Sequence, residues 1–336
     1  MRIDYFELVK RFEEFQDNYI TNLHSKKEQL HKCFHYVRED VKRIDSYHNI
    51  KLVGSVDSSF KSTPFFLSRL VGTLVTVSDI FDITNGNRDT DVSGAFLVGY
   101  DQSVVDALLR GLSTYFEVFT ATELLDKADI VLFDRRITST LIGAEQAVSV
   151  ASRIIEQLQE DTQEVYDVSD YLLGKYPEFL ISFIRLLESG RVIFTSKVSK
   201  SVELVNYLRN KSGVCDLKFL NDYEVSYMLL GDGEYISTDL DMAYSYVPGA
   251  FIDDVQVKKL LNRVISLSKG FRSVFLNVWG KVYKFESADP LRDTAFVYNS
   301  FVVQKGNEFP FLDLTDTEAK ANLRMLKHYI PEVRVW

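Results

Sequence analysis

Along residues 4–48, apolar positions recur at helical spacing among many charges (Phe6, Leu8, Val9, Phe12 and Phe15, then Leu23, Leu30, Phe34, Val37 and Val41). This pattern predicts one or two long helices whose remaining faces are strongly polar. The pattern changes at residue 50. Ile50 to Asp57 is strand-like and leads into a Ser/Pro-containing loop, SSFKSTP. Arg69 to Ile83 is a long β-rich run, Asn85-Gly86 signals a hairpin, and Asp91 to Tyr100 returns as a third strand. Asp101 is placed to cap a helix running to Lys127. Ile130 to Asp134 (IVLFD) is short and continuously apolar, as buried parallel strands are. Helices follow near 139–160 and 168–189, then a strand at 191–196 and a helix near 199–210.

Strand, strand, strand, helix, strand, helix, strand is the element order of an RNase H-like α/β fold, a mixed sheet flanked by helices. Here it carries an N-terminal helical arm and C-terminal elaborations. In that fold the first and fourth strands are parallel neighbours, about 4.8 Å apart. In this sequence those two strands end in Asp57 and Asp134, so both carboxylates are expected at one sheet edge. The last third has strand-like runs at 234–238, 273–286 and 295–303 and a final helix near 315–329. No linker separates it, so the expected organisation is an arm, 1–48, and one domain, 49–336. Gly-Asp-Gly at 231–233 reads as a turn, and there is no Walker A motif and no GxGxxG.

Composition narrows the function classes. A chain of 336 residues that is 46% hydrophobic and 26% charged can bury a large core. It has no apolar run of the ~18–20 residues a membrane span needs, and its charged N-terminus has no signal-peptide pattern. The expectation is a cytoplasmic protein with no membrane association. A net charge of −9 argues against holding nucleic acid by bulk electrostatics, although a basic channel can be local or belong to a partner. Cys33 and Cys215 form no CxxC metal pair. His31, Cys33 and His35 cluster in the helical arm, but zinc would need a fourth ligand, and the plain reading is helix surface. The 24 Phe and 18 Tyr read mostly as core.

Hydrolysis of a phosphodiester needs an activated water and neutralisation of developing negative charge, which two divalent ions held by Asp and Glu oxygens can supply. An Asp at a strand end is commonly a cap or turn former; two at points the topology brings together favour a metal site. VGSVDSSF (53–60) resembles the first motif of the NurA nuclease family, a strand ending in Asp followed by small residues. FEVFTATELLDKADIVLFDRRITSTLIG (116–143) is similar to that family's second block, a helical Glu followed by a hydrophobic strand ending in Asp. The resemblance makes Glu117 the third metal-site carboxylate beside Asp57 and Asp134, with Glu123 competing for the role. RVIFTSKVSKS (191–201) resembles the family strand with a Lys just past its end, which gives Lys197 a place at the scissile phosphate or an active-site carboxylate. NVWGKVYKFES (277–287) resembles the family's late strand pair, and NEFPFLDLTDTEAKAN (307–322) its C-terminal block, with Asp316 the best match for the last site acid and Asp313 second.

The chain departs from the family pattern twice: Arg135-Arg136 stand where a Gly commonly follows the second Asp, and the first motif reads Asp-Ser-Ser. The loop after Asp134 is therefore built differently, or its arginines reach toward DNA. What the resemblance implies is a Mn²⁺- or Mg²⁺-dependent nuclease with two ions, acting on single-stranded DNA and duplex ends in DNA end resection. It also implies a homodimer working with a hexameric HerA-type ATPase. Two alternatives stay open, a catalytically silent RNase H-like nucleic-acid-binding or adaptor protein and a structural subunit.

Overall fold

The computed structural model describes residues 5–45, 49–65, 69–157, 161–196, 202–213, 220–240, 247–303 and 309–329. By its contacts the chain forms two compact units. The smaller comprises 1–44, 197–238 and 275–283; the larger comprises 45–196, 239–274 and 284–336.

The smaller unit begins with a single helix, α1 (Tyr5–Phe34), which fits the helical spacing over that stretch. Beyond it, a 3-10 turn (Arg38–Asp40) and a two-residue strand, β1 (Lys42–Arg43), replace the helical continuation that Val37 and Val41 suggested. The helix end is tied down by burial. Leu30, Cys33 and Val37 share a core with Leu204, Val205 and Leu208 and with Val225 and Leu229. The last of these residues lie on two helices of the same unit, Glu203–Ser212 and Asp222–Leu229. Its sheet portion pairs β1 with Glu234–Asp239. The Gly-Asp-Gly run just before that strand is a turn, with Gly233 at φ 71°.

The larger unit opens on three long antiparallel strands, β2 (Leu52–Pro64), β3 (Leu70–Asp82) and β4 (Asn87–Gly99). The Asn85-Gly86 hairpin forms as its residues require: Gly86 has φ 69°, and the Asp82 carboxylate accepts from the Thr84 and Asn85 backbone. The SSFKSTP loop is a correction. It is strand throughout, paired with β3 from Ser58↔Thr76 to Pro64↔Leu70. Cross-strand contacts explain this: Phe60 packs against the core, and on the same face the Ser58 and Thr76 hydroxyls bond to each other at 2.8 Å.

Next come α2 (Gln102–Leu124), β5 (Ile130–Phe133), α3 (Ile137–Gln157), α4 (Gln163–Ser189) and β6 (Val192–Ser196). Asp101 caps α2, its carboxylate accepting from the Ser103 and Val104 N–H groups. Short apolar β5 lies between β2 and β6, parallel to both, in register Val56↔Phe133 and Phe133↔Phe194. The helices α2, α3 and α4 cover one sheet face, burying Val56, Phe133 and Phe194 with Leu112, Val118, Leu141 and Phe183. The approach of α2 to α3 is close: a Cβ on Gly111 would lie 2.3 Å from the Ala147 Cβ.

There follow α5 (Glu203–Ser212), α6 (Asp222–Leu229) and β7 (Glu234–Asp239); the chain re-enters the larger unit at Asp239 and, after a 3-10 turn (Gly249–Phe251), forms α7 (Val255–Ser268). It then enters a hairpin, β8 (Arg272–Val278) and β9 (Lys281–Ser287), whose strands pass through both units. Within the larger unit β9 pairs antiparallel with β6. The run 295–303, read as a strand, is the helix α8 (Pro290–Val303). Tertiary burial overrides its β-branched and aromatic composition, because Ala295, Phe296, Val297 and Phe301 are buried around more than one face of the helix. The last helix, α9 (Pro310–Tyr329), starts five residues before the expected 315 and packs Ala319 and Leu323 on Val75 and Val77 of β3. The result is the expected mixed sheet flanked by helices, and no helix among the described residues is long and apolar enough to cross a membrane.

Candidate active site

The site is built where β2 outruns β5. The parallel ladder ends at Val56↔Phe133, so Asp57 and Asp134 are the next residues on two neighbouring strands. Asp57 therefore lies within β2 and not at its end, at the point where β2 keeps β3 but loses β5. Alternation gives Ser55 and Asp57 the sheet face opposite Val56, which is the face covered by α9.

A buried polar network fixes α9 there. Ser55, Asp79 and Thr90 stand in register across β2, β3 and β4. Thr315 of α9 donates its hydroxyl proton to Asp79 Oδ2 at 2.6 Å, so its 2.7 Å contact with Ser55 Oγ is one in which Ser55 donates. Asp79 also accepts two bonds of 2.8 Å from Arg88 and one of 2.5 Å from Thr90. Arg88 reaches back to Glu318 on α9 at 2.5 Å. The residue after Thr315 is Asp316, whose carboxyl group is among those that raise Asp57.

Asp57 is buried, and its carboxyl is pushed up to about 9, first by burial, then by the negative charge of Glu117, Asp134 and Asp316. Four acids thus act on one another. Asp134 accepts from Thr195 Oγ1 of β6 at 2.9 Å. Asp316 is paired with Lys320 one helical turn later. Glu117, on the buried face of α2, accepts from Ser113 Oγ at 2.9 Å and from Arg135 through both of its oxygens, with Nη2 3.0 Å from Oε1. Burial opposes the charge on Arg135, but Glu117, Asp57 and Asp134 leave its guanidinium held above its ordinary value.

The structure brings Asp57, Glu117, Asp134 and Asp316 together. Glu123 is exposed on α2, and Asp313 lies one residue short of a turn earlier on α9 and is not among the groups acting on Asp57. Lys197 lies outside the described residues. The arginines after Asp134 fold back onto buried acids and account for the altered loop. Arg135 holds Glu117, and Arg136 donates to Glu286 Oε1 at 2.7 Å. Glu286 Oε2 accepts from the Ile137 N–H at 2.7 Å, so this carboxylate also meets the N-terminus of α3. Sequence reasoning missed Ser113, Thr195, Asp79 and Thr315, each a hydroxyl or acid whose role comes from pairing between distant segments. Only the four-residue spacing of Ser113 and Glu117 on one helix face carried a signal.

Hard oxygen donors around a carboxyl pushed up to about 9, by burial first and then by neighbouring acids, are the donor type that a divalent cation takes. The fit is incomplete as the side chains stand. Among the described residues no group of three or more His, Cys, Asp or Glu is arranged to hold a metal ion, and both oxygens of Glu117 are taken by Arg135. Glu117 in this position does not fit the role.

No family model matches the sequence, and no curated protein does. Solved structures match along nearly the whole chain. The NurA nuclease from Sulfolobus solfataricus superposes with a TM-score of 0.58 at 13% identity, covering 100% of both chains. A NurA with manganese gives 0.57 at 12% identity, over 97% of this chain and 99% of that one. A NurA bound to dAMP and manganese gives 0.55 at 10% identity, over 99% of this chain and 95% of that one. Agreement of backbone over the full length at such low identity is agreement of fold, and the fold of this chain is that of the NurA nucleases.

Proposed function

We propose that this protein is a divalent-metal-dependent deoxyribonuclease, an exonuclease on DNA ends and an endonuclease on single strands. The observation that carries the reading is the set of carboxylates gathered at the β2–β5 edge, with Asp57 pushed up to about 9 by burial and by the other three. Asp57, Asp134 and Asp316 would hold Mn²⁺ or Mg²⁺. When bound, such an ion supplies positive charge to a phosphodiester and acidifies water. Thr195 orients Asp134 through its 2.9 Å bond, and the Thr315–Asp79 link fixes α9 and with it Asp316. Lys197, by the family resemblance, neutralises the scissile phosphate. The neighbouring structures with manganese and with dAMP support the same chemistry.

The biological setting follows from the same reading: resection of DNA ends in the cytoplasm, by a homodimer working with a hexameric HerA-type ATPase. Support comes from the net charge of −9, which suits a nuclease fed by a motor, and from α1, where Phe12 and Phe15 are 59% and 63% exposed. Phe12→Glu with Phe15→Glu tests that surface better than truncation, because Leu30, Cys33 and Val37 of the same segment are core.

A second reading is favoured by one observation, the bidentate hold of Arg135 on Glu117, which fits a catalytically silent nucleic-acid-binding or adaptor protein. The assay that separates the two is cleavage of end-labelled single-stranded and duplex DNA with Mn²⁺ or with chelator. Metal-dependent cleavage lost in Asp134→Asn supports the nuclease. DNA binding without cleavage under every metal condition supports the silent protein.

A further inference from the structure

The carboxylate site contains a cation of its own. Arg135 directly follows Asp134, yet its side chain runs to α2, where Nε and Nη2 engage the two oxygens of Glu117 and Nη2 lies 2.6 Å from Ser113 Oγ. Ser113 in turn donates to Glu117 at 2.9 Å, so the three side chains close a ring of bonds. This geometry is set by the planar fork of a guanidinium, which matches a carboxylate edge and cannot lose its proton. The Glu117 side chain is only 3% exposed and that of Arg135 21%. Turning Glu117 away toward a metal ion would leave one buried charge without its partner.

Charge leads to the same place. Glu117, Asp57 and Asp134 all act on the guanidinium, and Asp316 joins them around Asp57. With all four carboxylates ionised, as a bound cation requires, the guanidinium of Arg135 and the Lys320 ammonium paired with Asp316 leave two negative charges. One divalent ion cancels them, and a second would turn the site positive. Without the arginine three negative charges would remain, more than one divalent ion can meet. Resting on the metal-dependent reading above, we infer that Arg135 takes the place of one of two divalent ions. The site then holds a single ion on its Asp57–Asp134–Asp316 side, and Glu117 positions Arg135 instead of binding metal.

The test counts manganese on the full chain by isothermal titration and by electron paramagnetic resonance, which distinguishes an isolated Mn²⁺ from a spin-coupled pair. The wild type should bind one Mn²⁺ per chain with no pair signal. Arg135→Gln, which removes the charge and keeps a donor for Glu117, should bind two and show the coupled signal. Arg135→Lys, which keeps the charge, should bind one. Two ions in the wild type overturn the inference whatever the variants do, so it stays testable if Arg135→Gln folds poorly. One ion in both wild type and a folded Arg135→Gln also overturns it and leaves the metal-dependent reading standing. No ion in either defeats both.

Discussion

Two buried aspartates on neighbouring strands show how their partners set the state of a buried acid. Asp79 on β3 and Asp57 on β2 both face α9 and are both nearly inaccessible. Asp79 is surrounded by donors: Arg88 twice, Thr90 and Thr315. Asp57 is surrounded by acids, Glu117, Asp134 and Asp316, and its carboxyl is pushed up to about 9. Burial is common to the two, and the partners differ. An acid whose lone pairs are filled by donors anchors a fold; an acid crowded by its own kind calls for a cation or a proton.

The sharpest way to break this contrast is through activity. On the proposed function, Asp57→Asn lowers Mn²⁺-dependent cleavage about a thousandfold, a loss of about 4 kcal/mol in the transition state. The same change leaves the fold intact, since an amide is as neutral as the protonated carboxyl that burial favours. A steady-state assay with circular dichroism checks both, and undiminished cleavage would place the site elsewhere. Arg135→Ala comes next, a stability change of about 3 kcal/mol, because Glu117 is left charged and buried. Urea unfolding measures it, and a loss under about 1 kcal/mol would mean that the pair contributes little. Asp79→Asn costs about 2 kcal/mol by the same assay, since charged bonds from Arg88 are weakened while Glu318 still holds that arginine.

pH gives a further separation. The Asp57 carboxyl is raised in the folded state relative to its ordinary 3.8, so the folded protein keeps this proton where the unfolded chain has lost it. Its contribution to stability is therefore greatest below about 4 and is lost as pH rises toward about 9. Melting of the metal-free protein between pH 5 and 9 should fall more steeply for wild type than for Asp57→Asn, and parallel curves would contradict the shift. The smallest effect belongs to Glu123→Gln on the exposed face of α2, within about 0.5 kcal/mol in stability. It should also leave cleavage unchanged, and a large loss would move the third acid from Glu117 to Glu123.

Much of the frame was legible in the sequence because its signals are local. Asp101 caps α2, Asn85-Gly86 turns the hairpin, and the apolar IVLF run is the central parallel strand. The pairing of Asp57 with Asp134 followed from element order, and the register Val56↔Phe133 now sets them side by side. What escaped depends on tertiary partners. SSFKSTP reads as a loop until β3 lies beside it, and 295–303 reads as a strand until its apolar residues have a surface to bury against. The turning-in of Arg135 and Arg136 needs Glu117 and Glu286, which lie 18 and 150 residues away. Charge alone made those arginines look like surface ligands for DNA.

The claim that Asp57 awaits a cation while Asp79 is satisfied is tested most directly by melting with and without manganese. Mn²⁺ at about 100 times its dissociation constant should stabilise the folded wild type by about 2.7 kcal/mol. Asp79→Asn should start from a lower melting temperature and keep that increment, and Asp57→Asn should lose it. An increment that survives in Asp57→Asn, or one that vanishes in Asp79→Asn while its fold persists, would contradict the account.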